Sequence, residues 1–127
     1  RTAKSLGIEN IVCCDEITDL YNPNVIRASI GHLFTMNLLS DTSSNILNLL
    51  TKNNYQIILL DPEADTLINN FEPKENFALV IGSEQYGISD KWKDTESQSI
   101  KIESKNDVDS INASTAAAIA MWELTKE

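Results

Sequence analysis

Residues 77–89 read Phe77-Ala78-Leu79-Val80-Ile81-Gly82-Ser83-Glu84-Gln85-Tyr86-Gly87-Ile88-Ser89. Five apolar residues stop at a glycine, which makes 77–81 the clearest strand in the chain. The glycine-flanked loop after it is the first place to look for chemistry. In parallel α/β folds, ligands gather at the carboxyl ends of the strands. Gly82 and Gly87 let backbone approach a ligand closely or take a positive φ. Glu84 lies between them and offers a carboxylate to a hydroxyl or a backbone amide. A tight turn with a solvent-facing Glu84 fits the same residues.

Outward from this stretch, strand-like runs alternate with helical patterns, the signature of an α/β domain with a mainly parallel sheet. Upstream, Tyr55 to Leu60 has the pattern of a buried strand, stopped by Asp61-Pro62. Asp41 or Thr42 is placed to cap a helix through Leu50, with Ile46, Leu47 and Leu50 on one face. Leu33 to Leu39 reads as a loop leading into a strand. Asn24 to Ile30 reads as a short helix, with Asn22 at its cap and Pro23 at its first position. Ile11 to Cys14 is a first short strand. Downstream, Ser99 to Ile102 is a weaker strand. A final helix follows, where Ala113, Ala116, Ala117, Ala120, Met121 and Leu124 recur at helical spacing. Ser110, Asn112 and Ser114 at its start are good capping residues, and the same helix start could present amides to a ligand. At the other end, Thr2 to Leu6 resembles a helix terminus with Gly7 just past it. A helix that ends so early suggests a chain lacking its N-terminal portion.

Composition narrows the function classes. The 127 residues suffice for one compact domain, and 42% of them are apolar. No apolar run approaches the roughly 20 residues that span a bilayer. The net charge of −9 argues against holding nucleic acid by bulk electrostatics. Lys91, Lys93, Lys101 and Lys105 share a stretch with Asp90, Asp94, Glu96, Glu103 and Asp107, which reads as a solvated mixed-charge surface. Adjacent Cys13 and Cys14 read as reduced and packed, which suits a cytoplasmic protein. Two thiols and His32 are too few donors for a metal site. The phosphate-binding G-x-x-x-x-G-K loop and the G-x-G-x-x-G fingerprint are both absent.

Four segments, taken in order, resemble the motifs of the TrmH-type (SpoU) RNA methyltransferases of the SPOUT class. They are Arg1-Thr2-Ala3 with Gly7, Asn22 to Gly31 with Phe34, Leu79 to Ser89, and Asp109 to Ser114 with Ala116. The resemblance spans essentially the whole chain, residues 1–127. It implies a SPOUT α/β fold: a parallel sheet with helices on both faces and a C-terminal trefoil knot. It also implies S-adenosylmethionine as cofactor, rRNA or tRNA as substrate, ribose 2′-hydroxyl methylation, and a homodimer with sites at the subunit interface. No metal and no membrane are implied. On this view Ile81, Gly82, Gly87, Ile102, Ile111 and Ala113 line the cofactor pocket. Glu84, Ser110 and Asn112 organise the site, and Arg1 is the family's catalytic arginine. A guanidinium is a poor base, so Arg1 is better suited to holding a phosphate or steadying charge on the attacking oxygen. The proton would then pass to a phosphate or to water. Where the family commonly has Ile-Pro-Met-x-Gly, this chain has Ile102-Glu103-Ser104-Lys105-Asn106. That departure favours an alternative, a SPOUT-fold module for RNA binding or dimerisation that has lost methylation. A third reading is a flavodoxin-like domain for another small ligand.

Overall fold

The computed structural model describes residues 1–15, 36–83, 86–105 and 111–126. The expected helix at Asn24 to Ile30 lies outside the described residues, as does His32. The chain divides into two compact units, residues 1–46 and 47–127.

In the first unit, a single helical turn, α1 (Thr2–Ser5), ends where Gly7 takes a φ of +79°. The positive φ is why the expected glycine stands there. Two parallel strands follow, β1 (Asn10–Cys14) and β2 (Asn37–Asp41), with Asn10 opposite Asn37 and Cys14 opposite Asp41. The strand expected to follow Leu33 to Leu39 is thus β2, which runs on to Asp41. Next comes α2 (Ser43–Lys52), which begins in the first unit and continues into the second, and whose Ile46 and Leu47 are buried. Thr42 caps it, its Oγ1 accepting the Asn45 amide at 3.2 Å. A second cap arrives from far along the chain. Asp15 adopts a φ of 56° at the end of β1, and its carboxylate accepts the Ser43 amide at 3.0 Å and the Ser43 hydroxyl at 2.7 Å. Asp41, the other candidate cap, instead accepts from the Thr42 amide and the Asn45 side chain, both at 2.7 Å.

The second unit is a four-stranded parallel sheet. Its strands are β3 (Gln56–Leu60), β4 (Thr66–Leu67), β5 (Phe77–Ile81) and β6 (Gln98–Lys101), in the spatial order β4-β6-β3-β5. β3 is interior, which accounts for its unbroken apolar run. Ile58 is fully buried and packs with Ile100, Ile68, Ala120 and Leu124. Ile57 and Leu59 point to the opposite face and are buried too. Ala120 and Leu124 belong to the long final helix, here α4 (Ala113–Thr125), which covers one face of the sheet with its alanine stripe. Three short elements had no sequence signal. They are β4, the 3₁₀ turn Ile68–Asn70 and a one-turn helix, α3 (Asp90–Lys93), held by buried Trp92. No described helix is long and apolar enough to cross a membrane.

Candidate functional site

The strand order creates the site. β5 pairs with one edge of β3 and β6 with the other, so the chain changes sides of β3 between them. At such a switch the loops leaving the carboxyl ends diverge and leave a crevice. A cleft of about 1040 Å³ opens there. Leu60 and Asp61 reach it from β3, Ile81 and Gly82 from β5, Lys101 and Ile102 from β6, and Ile111 to Ala113 from the start of α4.

Backbone bonds and close packing tie Gly82 and Ser83 to Tyr86 and Gly87. Ser83 and Gly87 exchange two backbone hydrogen bonds, of 3.3 and 2.9 Å. The Ser83 hydroxyl accepts the Tyr86 amide at 3.0 Å. A Cβ on Gly82 would stand 2.3 Å from the carbonyl carbon of Gly87, so no side chain fits. Gly87 is glycine for a different reason: it has open space around its α-carbon but a φ of +68°.

Opposite this loop, Asp61 closes a tight turn. Its carboxylate accepts the Glu63 amide at 2.9 Å and lies 3.9 Å from the Lys93 ammonium on α3. Glu63, Asp65, Glu103 and Lys101 also line the cleft. The charged stretch that reads as solvated surface therefore supplies two cations, Lys93 and Lys101, to the cleft wall. Sequence reasoning passed over these two, along with Asp61. The only signal was the position of Asp61-Pro62 just past a strand, at the same end of the sheet as Gly82.

At the helix start, the Asn112 side-chain oxygen accepts the amides of Ser114 (3.0 Å) and Thr115 (3.3 Å). Asn112 is thus the N-cap of α4 as well as part of the cleft wall. Ile81, Gly82, Gly87, Ile102, Ile111, Asn112 and Ala113, far apart in sequence, come together around one cavity. Glu84 and Ser110 lie outside the described residues. Arg1 falls in the first unit, exposed at the start of α1, where its carbonyl accepts the Ser5 amide and hydroxyl. Cys13 and Cys14, in the same unit, are half-buried thiols outside any disulfide. Burial pushes the Cys14 thiol up, the Ser43 hydrogen bond opposes this, and the charges of Asp15 and Asp41 add to it.

Comparison with known proteins agrees with this fold. The 23S rRNA (adenosine(1067)-2′-O)-methyltransferase of Streptomyces azureus is 26% identical over 125 residues, which cover 97% of this chain and 46% of that protein. The crystal structure of an RNA 2′-O ribose methyltransferase superposes with a TM-score of 0.87 at 27% identity, over 96% of this chain and 47% of that one. The SpoU methyltransferase AviRb from Streptomyces viridochromogenes, solved in complex with AdoMet, has a TM-score of 0.91 at 22% identity, over 98% and 51% of the two chains. At that identity the likeness shows the fold alone. The chain spans about half the length of the curated relatives it matches. The SpoU rRNA Methylase family matches residues 1–122, and to that family the chain belongs.

Proposed function

We propose that this chain is the catalytic domain of an S-adenosylmethionine-dependent methyltransferase acting on a ribose 2′-hydroxyl of rRNA or tRNA. The observation that carries the reading is the cleft at the switch between β5 and β6, lined by residues of the motif segments Leu79 to Ser89 and Asp109 to Ser114 of a family matched over nearly the whole chain. Its size and mixed lining suit a cofactor of this kind. Ile81, Ile102 and Ile111 offer apolar walls to an adenine ring. Asp61 and Glu63 suit positively charged sulfonium and ammonium groups, and Lys101 suits a carboxylate. When bound, the cofactor supplies a methyl group on a cationic sulfur.

The protein's own part is positioning. Gly82 and Gly87 hold the loop, Asn112 fixes the start of α4, and Glu84 and Ser110 complete the site. Arg1 holds a phosphate or steadies negative charge on the attacking oxygen. The family's trefoil knot, formed near the C-terminus, belongs to this reading. So does a homodimer with composite sites, supported by Ile119 and Trp122 of α4, 40% and 57% exposed. The reduced cysteines suit a cytoplasmic setting.

The test is calorimetric titration with S-adenosylmethionine, followed by transfer of labelled methyl groups to total RNA. Light scattering at micromolar concentration should give twice the 14.1 kDa chain mass. Exposed Glu103, in the loop where the family commonly has Pro and Met, favours the second reading, a module without methylation. Dimerisation without cofactor binding would select it.

A further inference from the structure

Tyr86 has no part in the fold. It is 82% exposed on the rim of the cleft, the most exposed large apolar side chain among the described residues. Its backbone, by contrast, is held: its neighbour Gly87 bridges to Ser83, and its own amide donates to the Ser83 hydroxyl at 3.0 Å. A backbone held by these bonds has already met part of its ordering cost, so less is lost when a ligand covers the ring. The cations Lys93 and Lys101 line the same cleft.

We propose that Tyr86 is a stacking platform for an unpaired base of the RNA substrate. The inference rests on the methyltransferase reading above. A ribose hydroxyl that enters this cleft brings its own base, or the neighbouring one, to the rim. Single-stranded RNA is recognised chiefly by stacking bases on aromatic side chains, with cations beside them for the phosphates. A chain of net charge −9 gains little from long-range attraction to RNA. Most of its grip on the strand must then come from short-range contacts such as this one. Stacking tolerates every base, so Tyr86 contributes affinity and orientation and leaves the choice of sequence to other contacts.

The probe is a set of single-stranded oligoribonucleotides about twelve nucleotides long, each carrying one 2-aminopurine whose fluorescence is quenched by stacking. Tyr86→Ala should weaken binding about tenfold and abolish the quenching. Tyr86→Phe and Tyr86→Trp should retain both, whereas Tyr86→Leu should behave like the alanine variant. S-adenosylmethionine affinity, measured on the same samples, should change less than about twofold, since Tyr86 is 82% exposed at the rim. Leucine binding as well as tyrosine would overturn the proposal. So would a parallel loss of cofactor affinity in Tyr86→Ala, which would make Tyr86 part of the cofactor pocket. Conversion of a dimer to a monomer by Tyr86→Ala would overturn it too, by identifying the occupant as a second copy. A wild-type protein that binds cofactor but no oligoribonucleotide refutes the stacking role and leaves the cofactor reading standing. One that binds RNA with quenching but no cofactor refutes the cofactor reading alone.

Discussion

The two ends of the four-stranded sheet are built from the same strands and do opposite jobs. At the amino end the sheet is closed. The Gln56 side chain donates to that of Gln98 across β3 and β6, and its oxygen accepts the Lys74 amide at 2.7 Å. The Gln56 amide donates to the Asn76 carbonyl at 2.9 Å. These bonds knit β3 and β6 to the segment before β5 and leave little to react with. At the carboxyl end the strands finish flush, with Leu60 beside both Ile81 and Ile100, and then part. There the chain spends two glycines, an Asp-Pro turn and exposed Ile81 and Tyr86, none of which improves packing. Hydrogen bonds close one end and the cleft opens at the other because the crossover from β5 to β6 leaves room at the carboxyl ends.

The largest effect should come from a residue that serves both ends. Ile58→Ala removes a fully buried side chain from the contact with Ile100 and α4. It should cost about 2–5 kcal/mol in denaturant unfolding and weaken both ends together. A loss below about 1 kcal/mol would mean that the sheet and α4 are not packed as described.

Gly82→Ala should separate the ends. The new methyl group meets the Gly87 backbone, so the loop must rearrange, and S-adenosylmethionine affinity should fall about a hundredfold, on the order of 3 kcal/mol. Gly87→Ala is the matched control. It adds a methyl group in open space and is penalised only by its positive φ, about 1–2 kcal/mol of stability. Equal effects in the two variants would break the claim that close packing inside the loop is what requires glycine at Gly82.

The amino end predicts the reverse pattern. Gln56→Ala should lower stability by about 1 kcal/mol and leave cofactor titration unchanged. A change in cofactor affinity would show that the two ends are coupled. The smallest effect lies off this sheet. The Asn45 side chain and the Thr42 amide hold the Asp41 carboxyl below its usual value. A depressed carboxyl stabilises the folded state once ionised. Its contribution is therefore present above the ordinary aspartate range and is lost as pH falls through the lowered value. Asp41→Asn should flatten that acid limb of the stability curve and leave neutral-pH cofactor titration alone.

Much of this protein is local, and local features were legible in the sequence. The apolar run of β3 and the five residues before Gly82 read as strands, because each is short and stops at turn residues, Asp61-Pro62 and Gly82. The alanine stripe of α4, the capping side chain of Asn112 and the glycine past α1 are set by residues within a few positions of each other. Even Gly82 and Gly87 could be singled out, although not the two different reasons for them. Strand order was another matter. Nothing in periodicity says that β6 pairs on the far side of β3 from β5, since that choice rests on contacts between residues about 20 to 40 positions apart. Yet that choice brings Asp61, Lys93 and Lys101 to one cleft wall. It turns a charged stretch that looked like ordinary surface into part of a site. The cap that Asp15 places on Ser43 is of the same kind, a contact 28 residues long made by an aspartate in a left-handed conformation. Sequence determined which segments could be strand, helix or turn, because those preferences act over a few bonds. Tertiary structure alone decided which ends of them meet, because pairing energy depends on neighbours that the local sequence does not contain.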